Sequence, residues 1–116
     1  MDDDDLMRSA LQGLLKAVGL PARAFASAEE FLESGEQHQV ACLIADIRMS
    51  GMSGLELQAK LNADHIRIPT IFITAHADPA MSTWATKPAV IAVLYKPFQP
   101  EVLLQAVRKA IVQSRN

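Results

Sequence analysis

The sequence has little of what many specialised small proteins depend on. One cysteine, Cys42, among 116 residues excludes an intramolecular disulfide framework, and three histidines leave little for a zinc site. There is no basic excess: 11 Lys+Arg stand against 13 Asp+Glu, a formal net charge of −2, so this domain itself is not expected to bind nucleic acid. Long apolar runs are missing too. The longest, Ala89–Tyr95, falls far short of the roughly 18 residues of a membrane span. The acidic start Met1-Asp2-Asp3-Asp4-Asp5 is the opposite of a basic signal peptide. What is present is 50% hydrophobic residues, enough for a core without disulfide or metal staples. A single compact, cytoplasmic domain over residues 1–116 is expected.

The apolar pattern alternates between helix and strand. Leu6, Met7, Leu11, Leu14, Leu15 and Val18 recur at helical spacing, with Gly19 where a helix C-cap belongs. After Pro21, Ala22–Phe25 reads as a short strand. Ser27-Ala28-Glu29-Glu30 fits a capping box opening a helix that ends near Ser34-Gly35. Val40–Ala45 is a continuous apolar run, as expected of a strand buried on both faces, and it stops at Asp46. A second capping box, Ser53-Gly54-Leu55-Glu56, opens a helix through about Asn62. Thr70–Thr74 is a β-branched strand, Ala80–Lys87 a weaker helix between Pro79 and Pro88, and Val90–Tyr95 a strand cut off by Lys96-Pro97. Pro100 starts a last helix with Val102, Leu103, Ala106, Val107, Ala110 and Ile111 on one stripe. Alternation of this kind predicts parallel β-α units with helices on both faces of the sheet.

In such sheets, ligands bind beyond the carboxyl ends of the strands. Three strand ends carry isolated polar residues, Asp46, Thr74 and Lys96, and the Asp2–Asp5 run leads into the first helix. Clustered carboxylates repel one another and call for a hard divalent cation; all-oxygen ligation suits Mg²⁺. A hydroxyl and a lysine charge beside that cation suit phosphoryl oxygens. A carboxylate between metal and lysine can serve as a nucleophile and form an acyl phosphate.

These residues resemble the receiver domain of two-component response regulators. The resemblance is carried by Asp2-Asp3-Asp4, by Leu43-Ile44-Ala45-Asp46, by the loop Asp46–Gly54, by Ile71-Phe72-Ile73-Thr74-Ala75 and by Lys96-Pro97-Phe98, in family order and spacing. Phe25-Ala26-Ser27-Ala28-Glu29-Glu30-Phe31-Leu32 is similar to receivers that precede LuxR-type DNA-binding domains. The resemblance implies a flavodoxin-like three-layer α/β/α sandwich with a parallel sheet. It implies Asp46 as phospho-acceptor, Thr74 and Lys96 on phosphoryl oxygens, and Mg²⁺ held by Asp3, Asp46 and the Arg48 carbonyl, with Asp2 acting mainly through water. A cis Lys96-Pro97 peptide, a histidine kinase or phosphotransfer protein as donor, and no enzymatic turnover beyond the domain's own phosphorylation and dephosphorylation follow from it as well. A homodimer through the face made by the fourth helix, last strand and last helix is a further family expectation.

The sequence also departs from the family. Receivers carry a hydrophobic first strand before the acidic pair, lying between their second and third strands; here only Met1 stands there, so the domain reads as N-terminally truncated. An internal methionine taken as the start, a loss upstream, or a domain-swapped sheet would each account for it. At the switch, Val93 stands where the family has Tyr or Phe that moves with the threonine; Ala89 replaces a common glycine, Pro88 precedes it, and Ser50 replaces a proline. A phosphorylation-independent interaction module, docking around Trp84 and the last helix, is therefore the second expectation. A haloacid-dehalogenase-like phosphotransferase ranks third, because Arg48 occupies the place of its second aspartate. His76 reads as surface loop, His38 and His65 have no evident partners, and Cys42 reads as a small buried hydrophobe.

Overall fold

A computed structural model describes residues 1–2, 4–49, 51–75 and 89–114 of the chain. Three parallel strands, β1 (Leu43–Asp46), β2 (Thr70–Thr74) and β3 (Val90–Tyr95), lie side by side in that order. Leu43 stands opposite Thr70 and Asp46 opposite Ile73, while Thr74 stands opposite Tyr95. Among the described residues four helices accompany them: α1 (Asp5–Ala17), α2 (Ala28–Ser34), α3 (Gly54–Ala63) and α4 (Pro100–Ser114), with a 3₁₀ turn at Glu36–His38.

β2 shows why the layers form. All five of its residues are buried, and successive side chains alternate between the two faces. Ile71 and Ile73 pack with Leu11 and Leu15 of α1 and Leu103 and Val107 of α4. Phe72 points the other way, into a cluster with Phe31 of α2, Leu57 and Leu61 of α3, and Leu43 and Ala45 of β1. A central strand apolar on both faces needs helices on both sides, and the chain supplies them.

Local signals set the helix ends. Ser53 Oγ accepts the Glu56 N–H at 3.1 Å while the Glu56 carboxylate accepts the Ser53 N–H at 3.2 Å, the complete capping box expected. At α2 only half of the box forms: Ser27 Oγ accepts the Glu30 N–H at 3.1 Å, and Gly35 closes the helix in the left-handed region at φ 77°. Gly54 is required for a different reason. A Cβ there would stand 2.6 Å from the Asp46 carbonyl oxygen, so only glycine lets α3 start against the end of β1.

Two expectations are corrected. Ala22–Phe25 forms no strand, because almost nothing among the described residues is available to pair with it: a single ladder-like bond runs from the Asp2 N–H to the Phe25 carbonyl, at 3.4 Å. The apolar run from Val40 becomes a strand only at Leu43, where the Leu43 N–H reaches the Pro69 carbonyl at 2.9 Å and pairing with β2 begins. The expected helix Ala80–Lys87 lies outside the described residues, as do Asp3, Ser50, His76, Trp84 and Pro88.

Candidate functional site

The sheet delivers its polar residues to one edge. Asp46 ends β1, Thr74 ends β2, and Lys96 follows the last residue of β3; the Lys96 N–H donates to the Thr74 carbonyl at 2.8 Å, which holds the last two strand ends together. The Lys96-Pro97 peptide is cis. Asp2, just before α1, reaches the same place: its Oδ2 accepts from Lys96 Nζ at 2.9 Å, and Asp46 Oδ2 accepts from the same ammonium at 2.7 Å. The remaining oxygens are also used. Asp46 Oδ1 accepts the Arg48 N–H at 3.0 Å, and Asp2 Oδ1 accepts the Asp4 N–H at 2.9 Å.

Two carboxylates and one ammonium leave the cluster one negative charge in excess, largely out of solvent: the Asp2 side chain is 1% exposed and that of Asp46 10%. Burial pushes the Asp46 pKa up and the Asp2 charge adds to it, while the bonds from Lys96 and the Arg48 N–H pull down without cancelling the rise. Burial alone would lower the Lys96 pKa, but its hydrogen bonds to Asp46 and Asp2 and their charges outweigh it, and the net direction is upward. A further cation placed against these carboxylates would relieve the excess.

The acidic run divides its labour. Of its described residues, Asp2 joins the cluster and Asp4 and Asp5 do not. Asp4 caps α1, its carboxylate accepting the Leu6 N–H at 2.9 Å and the Met7 N–H at 3.4 Å, and Asp5 lies in the first turn in an ion pair with Arg8. Thr74 is buried at its strand end, Val93 is half-buried opposite Phe72, and the Arg48 side chain is exposed. His38 and His65 are exposed. Among the described residues, no three His, Cys, Asp or Glu side chains converge as a ready metal cage. Cys42 lies just before β1, half-buried, and burial pushes its thiol up to about 12, away from nucleophilic use.

Two residues that sequence reasoning missed support the cluster. Arg8 Nη1 donates to the Asp2 carbonyl at 2.7 Å, pinning the acidic turn to α1. The Glu29 carboxylate on α2 accepts the Met52 N–H at 3.2 and 3.3 Å, holding the loop that follows Asp46. Arg8 carried a weak signal, one helical turn beyond Asp4 and Asp5. Glu29 carried none, because its partner is 23 residues away.

A carboxylate closing a buried parallel strand, paired with a lysine that follows the strand two along in the sheet and flanked by a second carboxylate, is an arrangement suited to phosphoryl chemistry on an open α/β sheet. The chain belongs to the response regulator receiver domain family, whose model matches residues 1–108. It is 42% identical over 115 residues to Nodulation protein W of Bradyrhizobium diazoefficiens, covering 99% of this chain and 51% of that protein. It is 42% identical over 111 residues to Response regulator protein TmoT of Ectopseudomonas mendocina, covering 96% and 50%. The chain thus spans about half the length of these curated relatives. Among solved structures it is similar to response regulator StyR, at TM-score 0.92 and 41% identity over 99% of this chain and 58% of that one. It is also similar to the structure titled FIXJ-N, at TM-score 0.83 and 34% identity over 97% and 90%. Phosphoryl acceptance within two-component signalling is the role of this family, and the flavodoxin-like fold is that of its members. No helix among the described residues is long and apolar enough to cross a membrane.

Proposed function

We propose that this chain is one receiver domain over residues 1–116 that accepts a phosphoryl group on Asp46. The observation that carries the reading is the placement of the Asp46 carboxylate 2.7 Å from Lys96 Nζ at the carboxyl edge of the sheet. An Asp46 oxygen attacks phosphorus, the bond from phosphorus to the donor breaks, and Lys96 balances the charge gathering on the phosphoryl oxygens. Thr74, one strand over, is the hydroxyl that meets another of those oxygens.

The donor set fits a hard cation. The side chains brought to Lys96 are two carboxylates, all-oxygen donors, and their excess negative charge is largely buried. Asp2, Asp3, Asp46 and the Arg48 carbonyl would hold Mg²⁺, which when bound offsets charge on the phosphoryl group. The donor is a sensor histidine kinase or phosphotransfer protein in the cytoplasm, and the domain turns over nothing but its own acyl phosphate. Val93, at the position of the family's aromatic switch, gives Thr74 no ring to move against, so the readout of phosphorylation is weak. Trp84 is the proposed partner anchor and, with the last helix, the face for a homodimer.

Intact-mass spectrometry after incubation with acetyl phosphate and Mg²⁺ tests this reading. A single phosphoryl adduct is expected on the wild-type chain and not on Asp46→Asn, nor without Mg²⁺. No adduct on a folded protein would replace the reading with a phosphorylation-independent docking module.

A further inference from the structure

Arg8 lies one turn into α1, and helical side chains lean toward the N-terminus of their own helix. Its guanidinium turns back over the start of α1, where Nη1 donates to the Asp2 carbonyl at 2.7 Å and Nη2 pairs with the Asp5 carboxylate. The two contacts differ in setting. The Asp5 side chain is 86% exposed, so that ion pair contributes little. Asp2 is buried, and its main chain has a longer bond on the other side, from its N–H to the Phe25 carbonyl at 3.4 Å. From this point the Asp2 side chain runs into the cluster, Oδ1 on the Asp4 N–H and Oδ2 on Lys96 Nζ, both at 2.9 Å. The place of Arg8 also runs against charge preference, since the helix dipole opposes a cation at a helix N-terminus.

We propose that Arg8 is a positioning residue for Asp2: its guanidinium holds the main chain from which the Asp2 carboxylate reaches Lys96, and so sets how tightly the cluster takes a divalent cation. The second half rests on the function proposed above; the hold on Asp2 does not. A guanidinium beside this cluster has two effects of opposite sign. As a charge it repels an incoming cation, and as an anchor it keeps a carboxylate in place for one. Anchoring a ligand from behind is worth roughly 10–100-fold in metal affinity, whereas the charge of a group open to solvent is screened, so the anchor wins. A lysine would keep the charge but lose the planar fork that reaches Asp2 and Asp5 together.

The test uses the full chain and reads the two halves separately: calorimetric titration with MgCl₂ alone, and amide exchange of Asp4 without metal, whose N–H is bonded to Asp2 Oδ1. Arg8→Met is expected to weaken Mg²⁺ binding about tenfold and to speed Asp4 exchange by a similar factor. Arg8→Lys should fall between Arg8→Met and the wild type in both, and it decides the matter if Arg8→Met does not fold. Asp5→Asn should stay within about twofold of the wild type. Mg²⁺ binding that is equal or tighter in Arg8→Met would overturn the inference, because the charge alone would then be what Arg8 contributes. So would weaker binding with unchanged Asp4 exchange, since Asp2 would not have shifted, or a loss in Asp5→Asn equal to that in Arg8→Met. A wild-type chain that takes up no Mg²⁺ would overturn the functional reading and the cation half with it; faster Asp4 exchange in Arg8→Met would still support the hold on Asp2, and equal exchange would overturn that too.

Discussion

The two sides of β1 are built differently. On one side stands β2, buried along its whole length and paired with β3 beyond it; on the other, Met1 bonds Ile44 and Asp46 and a groove of about 530 Å³ opens, lined by Phe25, Phe31 and Ile44 among others. The site draws on both sides: Asp46 and Lys96 come from the paired sheet, while Asp2 comes from the N-terminal segment on the other side. Chemistry at a strand end thus depends on a neighbour whose own backbone is held by a few bonds. The position of a carboxylate is only as firm as the ladder behind it.

The sharpest way to break this comparison is to cut one ring from each side. Phe72, fully buried under β2, is expected to cost about 3–5 kcal/mol as Phe72→Ala, and Phe25, at the groove, under about 2 kcal/mol as Phe25→Ala. Urea unfolding measures both, and equal losses would mean that the two sides are equally well packed. Lys96→Met comes next. It leaves two carboxylates facing each other, and about 1–3 kcal/mol of stability is expected to be lost, less than for a fully buried pair because the Lys96 side chain is 19% exposed. The same variant should raise the Asp46 pKa further in an NMR titration, since a bond that lowers it is gone.

A pH dependence arises at the N-terminus. The Met1 amino group falls from 8.0 to about 6 in the folded chain, by burial. Between those values the unfolded chain still holds a proton that the folded one has released, so stability rises with pH across that window and levels off above it. The gain is no more than about 2–3 kcal/mol. N-terminal acetylation should remove this rise in a Tm-against-pH series; an acetylated chain with the same slope would assign it to another group.

Much of the fold was legible because buried strands leave continuous apolar runs and their ends leave isolated polar residues: Asp46, Thr74 and Lys96 were found that way. The Ser53–Glu56 capping box was legible because both partners lie within one turn. What stayed hidden depends on partners distant in sequence. Ala22–Phe25 has strand-like composition but almost nothing to pair with, and β1 starts at Leu43 because its ladder with Thr70 does. Four aspartates in a row look alike in sequence, yet helix capping claims Asp4, an ion pair takes Asp5, and Asp2 lies in the cluster. Glu29 could not be placed at all without the fold that brings α2 beside the loop.

That contact gives the region after Asp46 a mechanical character. The Gly54 N–H donates to the Ile47 carbonyl at 3.0 Å, closing the segment into a ring, and the Glu29 carboxylate grips that ring from outside at Met52. Gly51 makes the grip close, at φ 77° and directly beneath the carboxylate, where a Cβ would collide. The loop is thus tied at its neck and clasped on its rim. The backbone that follows Asp46 is therefore tied to α2, with Glu29 as the linkage between them.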